Sequence, residues 1–423
     1  MNIASVRGFR DVLPDEAARW EVIEAKAKEV FFAYGFREIV LPLLERTELF
    51  ARSIGETTDI VEKEMYTFAD RDGTSVTLRP EGTASVIRAY VESGLYRKEP
   101  VSKLFYRGPM FRRERPQKGR YRQFFQIGAE VLGRDDALID AELLLMLGTL
   151  FSGLGVEVRL ELNSLGCPEC RPPYRDVLRA FGERNRGELC ENCGRRLERN
   201  AFRLLDCKET GCRTLTARAP LLADYLCAAC REHFDLVQRY LRQEGVAFAL
   251  NPRMVRGLDY YDRTSFEVTA GGLGAQNAVC GGGRYNRLVA EMGGPQVPGI
   301  GFAIGVERLA MLLAAGRAVE APGPFLFIAP LGDRAEGAAF SLARGLRGAG
   351  RWVEVDGGAQ GLKSQMRRAN RLGARYVLIV GEDELAAHRG TVRDMVLKKD
   401  YRVAVDLGLS PQEMLRSIES LAG

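Results

Sequence analysis

The sequence predicts an α+β fold in a chain long enough for two or three domains. Two strand-like runs, SKLFYRGPMFRRERP and RYRQFFQIGAEVLG, flank the basic, turn-prone QKGR, as in an antiparallel hairpin with a long loop. Helical apolar spacing from Glu16 to Tyr34 and from Asp135 to Leu154 supplies the α component. Beyond a GRAVEAPGP linker, FLFIAPL, WVEVD, YVLIVG and RVAVDL alternate with helical segments, which predicts a small α/β domain with a largely parallel sheet.

Taken in order, the first helix stops at Gly35, and FREIVLPLL reads as a strand ending at Pro42. SVTLRP is a further strand, and EGTASVIRAYVESG starts as a turn and continues as a helix. VEVRLELNS is a strand after the second long helix. From Leu165 to about Gly245 short cysteine pairs and arginine-rich helices mark an insertion. Strand texture returns with AFALNPRMVRGLDYYDRTSFEV and AVCGGGRYNRLV, and GIGFAIGVERLAMLL is a Gly-rich strand running into a helix.

The composition, 46% hydrophobic and 28% charged with a net charge of +5, is that of an ordinary globular protein that tolerates a polyanionic partner. No apolar run reaches membrane-span length, and MNIASVRGFRDVLPDEAARW is too polar for a signal peptide, so a cytoplasmic location is expected. Only His233 and His388 are available, which disfavours catalysis by a histidine base. Eight of the nine cysteines lie between Cys167 and Cys230 as CPEC, CENC, CKETGC and CAAC. Three of these are CxxC pairs with structural zinc spacing, and two pairs can supply all four thiolates of one site. Reduced, partly buried thiols are the alternative.

Between Lys103 and Gln123 eight basic residues, Lys103, Arg107, Arg112, Arg113, Arg115, Lys118, Arg120 and Arg122, face one acid, Glu114. Guanidinium groups fixed on hairpin strands suit phosphate oxygens, whereas a solvated edge strand would need neither the Gly-Pro turn nor the interleaved aromatics. GGGRYN and GIGFAIGVER allow close backbone approach but match no dinucleotide or P-loop fingerprint. Glu81 and Glu130 sit where strand-like runs meet turns or polar clusters; each is a ligand for an ammonium or ring N–H, or a surface acid.

As an ordered set these segments resemble the class II aminoacyl-tRNA synthetases, and within them the histidyl-tRNA synthetase family. GFREIVLPLLERTELF, YRGPMFRRERPQKGRYRQFFQIGAE and GIGFAIGVERLAML resemble the three class motifs, the first of which makes a dimer interface. RGLDYYDRTSFEV and AVCGGGRYN resemble the two blocks peculiar to the histidine enzymes. The resemblance implies a class II antiparallel sheet flanked by helices over 1–164 and 246–320, an inserted subdomain over 165–245, and an anticodon-binding α/β domain over 325–423. It also implies a homodimer that joins histidine, through ATP and Mg²⁺, to tRNA(His).

By the same resemblance Arg112 and Arg256 are catalytic at the α-phosphate. Phe124 and Arg308 hold the adenine, and Arg120 reaches the outer phosphates. Glu81, Gly82, Thr83, Gln126 and Arg256 hold the amino-acid end of histidine, and Glu130, Tyr260 and Tyr261 read its imidazole. The loop at Gln117–Arg122 and a tail helix bearing Lys363, Arg367, Arg368, Arg371 and Arg375 are expected to face tRNA; Asp262 receives no role. Histidine-sensing regulatory subunits related to the family are the main alternative, but they generally lack the tail domain and have degraded ATP-binding arginines. Synthetases of the threonyl, prolyl or glycyl type are less compatible with RGLDYY and with Glu81, Gln126 and Glu130.

Overall fold

The computed structural model describes the chain apart from residues 1–2, 56–57, 59, 118, 275–276, 317–322, 358–360, 405–410 and 421–423. It forms two compact units, Met1–Val319 and Glu320–Gly423. Among the described residues no helix is long and apolar enough to cross a membrane.

The first unit is organised by an eight-stranded sheet. Its order is Arg37–Glu38, Ser102–Phe111, Gln123–Leu132, Gly299–Gly305, Ala278–Arg284, Asp262–Thr269, Arg159–Ser164 and Phe248–Leu250. Pairing is parallel only at the two outermost positions and antiparallel everywhere between. The expected hairpin forms, with Leu104 opposite Glu130 and Gly108 opposite Gln126.

Period-two alternation gives the central strands two unlike faces. Ile127, Ala129 and Val131 alternate with Gln126, Gly128 and Glu130, as Ile300, Phe302 and Ile304 alternate with Gly301, Ala303 and Gly305. The apolar set packs against the helices Pro14–Ala33, Ala137–Gly153 and Val306–Gly316 in the main core. Each fully buried Leu, Ile or Phe there contributes roughly 1.5–3 kcal/mol. The opposite face is the one that carries the site.

Local signals explain the helices beneath. Pro14 opens the first with Asp15 and Glu16 in its first turn, and Gly35, at φ +82°, ends it. Asp136 caps the second by accepting from the Ile139 N–H at 3.1 Å.

FREIVLPLL is not one strand. Arg37–Glu38 joins the large sheet, while Leu44–Arg46 pairs with Ser75–Leu78 in a separate three-stranded sheet completed by Tyr66–Ala69. Buried Arg79 shapes this turn by donating to the Leu41 and Pro109 carbonyls at 3.0 and 2.9 Å. Likewise AFALNPRMVRGLDYYDRTSFEV forms strands only at its ends, and the turn-rich 251–261 between them holds Arg256 and the tyrosine pair.

The insertion has its own small core of leucines, Tyr174 and cysteines. It is tied to the main unit through His233 and the fully buried Asp140 and Arg284.

The second unit has a five-stranded sheet ordered Val353–Val355, Leu326–Leu331, Tyr376–Gly381, Arg389–Asp394 and Lys399–Ala404. Only the first three strands run parallel; the last two form an antiparallel hairpin. The expectation of a largely parallel sheet is therefore corrected. Arg389–Asp394 (RGTVRD) has too few apolar residues to stand out as a strand, although Val392 is buried in the core.

Candidate active site

A cavity of about 270 Å³ opens on the glycine-rich face of the large sheet. Its floor follows from the register: Gly281 lies opposite both Ala303 and Glu267, and Gly305 opposite Gln126. Rows of glycine and alanine leave space above the sheet that longer side chains from neighbouring segments fill. A Cβ on Gly281 would come within 2.3 Å of an Arg256 guanidinium nitrogen, and one on Gly301 within 1.6 Å of Glu130 Oε2. The glycine runs thus make room for charged side chains.

Arg112, Arg120, Phe124, Gln126, Arg256 and Arg308 all line this cavity. Arg112 and Arg120 lie in the loop of the hairpin, not on its strands as the alternation suggested. Arg112 is instead fixed by donating to the Pro80 carbonyl at 2.8 Å, with its guanidinium 5.3 Å from the Phe124 ring centre. Arg120 pairs with Glu114. Arg308 donates to the Ala278 carbonyl at 2.5 Å, which fixes it at the far wall. Arg256 Nη1 donates to Glu267 at 2.9 Å, and its Nε is buried with no hydrogen-bond partner among the described residues.

Beside these arginines lies a buried polar cluster. Glu130 accepts from Thr83 Oγ1 at 2.7 Å and from the Tyr285 hydroxyl at 2.5 Å. The Tyr260 ring packs 4.6 Å from Tyr261 and 5.8 Å from Tyr285, and Arg256 stands 5.6 Å from the Tyr261 ring centre. Among the described residues Gln126 Oε1 is buried without a partner, and the Tyr260 hydroxyl lacks a well-formed one. Buried polar atoms of this kind are costly unless a ligand satisfies them.

Glu81, read from the sequence as a ligand for an ammonium or as a surface acid, is buried and already engaged by the backbone. It accepts from the backbone N–H groups of Thr83 and Ala84 at 2.6 and 2.8 Å, capping the helix Thr83–Glu92. Gly82 permits the close approach of the Tyr106 ring, which a Cβ would meet at 2.2 Å.

Burial dominates the electrostatics. It pushes the Tyr261 hydroxyl up to about 12, and those of Tyr260 and Tyr285 above their ordinary value, so all three stay neutral donors. Burial likewise lifts Glu307, which accepts from the Phe125 N–H at 2.9 Å, to about 7.

Glu130 is raised by burial to about 8, against the hydrogen bonds from Thr83 and Tyr285. Its folded value exceeds its ordinary one, so its stabilising contribution is complete in acid and is lost as pH rises through 8. Glu130→Gln has no such loss. Thermal unfolding from about pH 5 to about pH 9 should show the variant gaining on the original chain as pH rises; a constant gap would contradict the assignment.

Several participants were not legible in the sequence. Tyr285 lies within the quoted AVCGGGRYN, but its contact with Glu130 spans 155 residues. Glu114, Glu267, Glu307 and Lys208 also line the cavity, and Lys208 comes from the cysteine-rich insertion. Asp262, buried, accepts weakly from the Asn286 N–H at 3.4 Å, at the irregularity where Arg284 pairs with it.

The basic tail residues divide: Lys363, Arg367 and Arg371 are exposed on Leu362–Arg371. Arg368 is bound to Asp356 at 2.6 Å, and Arg375, beyond the helix, to Asp394 at 3.0 Å. Lys118 of the basic loop lies outside the described residues.

All eight insertion cysteines are free thiols, gathered as two sets of four.

Comparison with known proteins identifies the family. The Histidyl-tRNA synthetase family model matches residues 8–309, and the Anticodon binding domain model matches 326–409. A histidine–tRNA ligase of Trichlorobacter lovleyi is 57% identical over 93% of this chain and 94% of its own. One from Geobacter sulfurreducens is 53% identical over 98% of this chain and 100% of its own. The crystal structure of apo S. aureus histidyl-tRNA synthetase superposes with a TM-score of 0.80 at 34% identity, over 96% of this chain and 98% of that one. The chain belongs to the histidyl-tRNA synthetase family.

Proposed function

We propose that this chain activates histidine with ATP and transfers the histidyl group to the 3′-terminal adenosine of tRNA(His). The observation that carries this reading is one cavity lined by Arg112, Arg120, Arg256 and Arg308, adjoining a closed cluster of Glu130 and tyrosines with buried polar atoms left unpaired.

In the first step a carboxylate oxygen of histidine bonds to the α-phosphorus, and the bond to the bridging oxygen breaks as pyrophosphate leaves. Arg112 and Arg256 stabilise the charge that builds on the α-phosphate, from positions held before substrate arrives. Arg308 and Phe124 hold the adenine between a guanidinium plane and a ring, and Arg120 meets the outer phosphates. Gln126, Thr83 and Glu81 face the ammonium end. Because Glu81 already caps a helix, Gln126, with its unpaired oxygen, is the readier acceptor.

Glu130 with the Tyr260–Tyr261 pair reads the imidazole, which offers one donor and one acceptor. Tyr285 and Thr83 fix the Glu130 carboxyl for that contact. In the second step the terminal adenosine hydroxyl attacks the histidyl carbonyl and AMP leaves. Neither step requires a histidine of the protein.

Mg²⁺ fits here, because Glu114 and Glu267 stand among the arginines of the cavity as oxygen ligands suited to a hard cation. When bound, it supplies charge neutralisation on the phosphates.

A homodimer is part of this reading. Val40, Leu43 and Leu44, in the segment resembling the first class motif, are 87%, 45% and 45% exposed, an apolar strip suited to a second copy. The tRNA contacts are assigned to the basic hairpin loop and to Lys363, Arg367 and Arg371, and the site of action to the cytoplasm. An intact arginine set and the matched tail disfavour a purely regulatory role. Charging of tRNA(His) with labelled histidine tests the proposal: histidyl-tRNA should form and fall steeply with added salt. Histidine binding without charging would favour the regulatory reading.

A further inference from the structure

The insertion contains two sets of thiols that the reaction does not use. Cys167, Cys170, Cys227 and Cys230 form one, and Cys190, Cys193, Cys207 and Cys212 the other; within each set all four sulfurs lie within 4.8 Å of one another. Cys167 and Cys170 are 3.6 Å apart, Cys167 and Cys227 3.8 Å, and Cys190 and Cys207 3.8 Å. A disulfide needs about 2.05 Å. Tetrahedral zinc with bonds of ~2.3 Å sets its sulfurs roughly 3.8 Å apart.

Backbone N–H groups are also aimed at the sulfurs. Cys170, Cys190 and Cys227 stand at the N-termini of the helices Arg171–Arg184, Glu191–Arg199 and Ala228–Gln243. The Cys227 N–H donates to Cys170 Sγ at 3.1 Å, and the Cys190 N–H to Cys212 Sγ at 3.2 Å. Backbone donors and helix dipoles both favour sulfur anions. Cysteines also occupy five of the buried positions in a core otherwise built from a few small or leucine side chains and Tyr174.

We propose that the insertion binds two zinc ions in two nested tetrathiolate sites, and that the inner one positions Lys208 at the nucleotide cavity. The outer site joins the two ends of the insertion. The inner one lies wholly between them. Cys207, an inner ligand, immediately precedes Lys208, which lines the same cavity as Arg112, Arg256 and Arg308. A second cavity, of about 390 Å³, is bordered jointly by Cys190, Cys207, Lys208, Arg112, Glu114 and Arg120, so the inner site adjoins the arginine wall. Lys208 adds a charge that can meet the phosphate tail of ATP without touching the α-phosphate. Each ion displaces the protons of the thiols it binds, so zinc uptake by the metal-free chain acidifies an unbuffered solution. The zinc sites are independent of the proposed reaction, whereas the role of Lys208 rests on it.

Elemental analysis of the full chain, purified without chelator, should find two zinc ions per chain. Cys190→Ser/Cys207→Ser and Cys167→Ser/Cys227→Ser should each retain one. Should a variant fail to fold, the original chain still decides: a mercurial reagent should release two zinc ions, and cobalt substitution should give thiolate charge-transfer bands. One zinc per chain, iron in either site, or disulfide-linked cysteines would overturn the two-site proposal.

For Lys208, the inner-site variant and Lys208→Ala should both raise KM for ATP about tenfold, the worth of one charged hydrogen bond, while kcat changes little. The outer-site variant should not. Unchanged KM in the inner-site variant would overturn the positioning role. Absence of histidine-dependent exchange in the unaltered chain would instead remove the catalytic reading and leave the zinc count standing.

Discussion

Arg256→Ala should lower histidine-dependent ATP–pyrophosphate exchange by ~10²–10³, the usual cost of removing one preorganised donor to developing charge. Arg256 combines three properties that few side chains here share. It is held in the cavity wall by Glu267 at 2.9 Å, it lies 5.6 Å from the ring centre of Tyr261, and its Nε has no partner among the described residues. It therefore stands preorganised between the arginine cavity and the tyrosine cluster.

The loss should fall on kcat more than on KM for histidine, because the charge it meets grows in the transition state. Folding should survive, since the Glu267 side chain left behind is 33% exposed and can be hydrated. Unfolding curves of the variant and the original chain check this point. Near-normal exchange in a folded variant would contradict the catalytic assignment.

Arg284→Ala should cost about 3–5 kcal/mol of stability, the typical effect of stranding one partner of a buried ion pair. Arg284 and Asp140 are both fully buried, joined at 2.5 and 3.1 Å. Burial alone would raise the Asp140 carboxyl, but Arg284 and His233 outweigh it and hold it low. Arg284 also donates to the Arg134 and Asp136 carbonyls at the start of the helix Ala137–Gly153, and His233 brings in the last helix of the insertion.

Removing the guanidinium leaves a buried carboxylate and unsatisfied carbonyls where three elements meet. Urea unfolding of the first unit measures the loss, and a change below about 1 kcal/mol would contradict the account. Because the Asp140 carboxyl is depressed, its contribution is present above its ordinary value and disappears as pH falls through its folded one.

The parts of this molecule that could be read from its sequence are those where local chemistry and tertiary demand agree. The hairpin around QKGR was legible because two strand-like runs flank a short, turn-prone basic segment, and the paired strands pack one face on helices. The first helix carries its own start and stop. FREIVLPLL misleads because its apolar residues serve two sheets, with Val40 left outside the core.

At the site, the motifs pointed to Arg112, Arg256 and Arg308, and these do line one cavity. Periodicity could not reveal that Arg112 leaves the strand, nor that Glu81 is engaged by backbone N–H groups. Tyr285 and Lys208 escaped for a physical reason: each meets the site through contacts across long stretches of chain, with no local signature. The pairing of the cysteines was hidden in the same way.

The most direct test is ATP–pyrophosphate exchange by the purified chain with histidine, threonine, proline and glycine in parallel. Histidine alone should support exchange, with discrimination of about 10⁴-fold or more, since amino acids lacking the imidazole leave the Tyr260 hydroxyl, and the Glu130 lone pairs not taken by Thr83 and Tyr285, without a partner. Exchange with one of the other three, or with none of the four, would contradict the account.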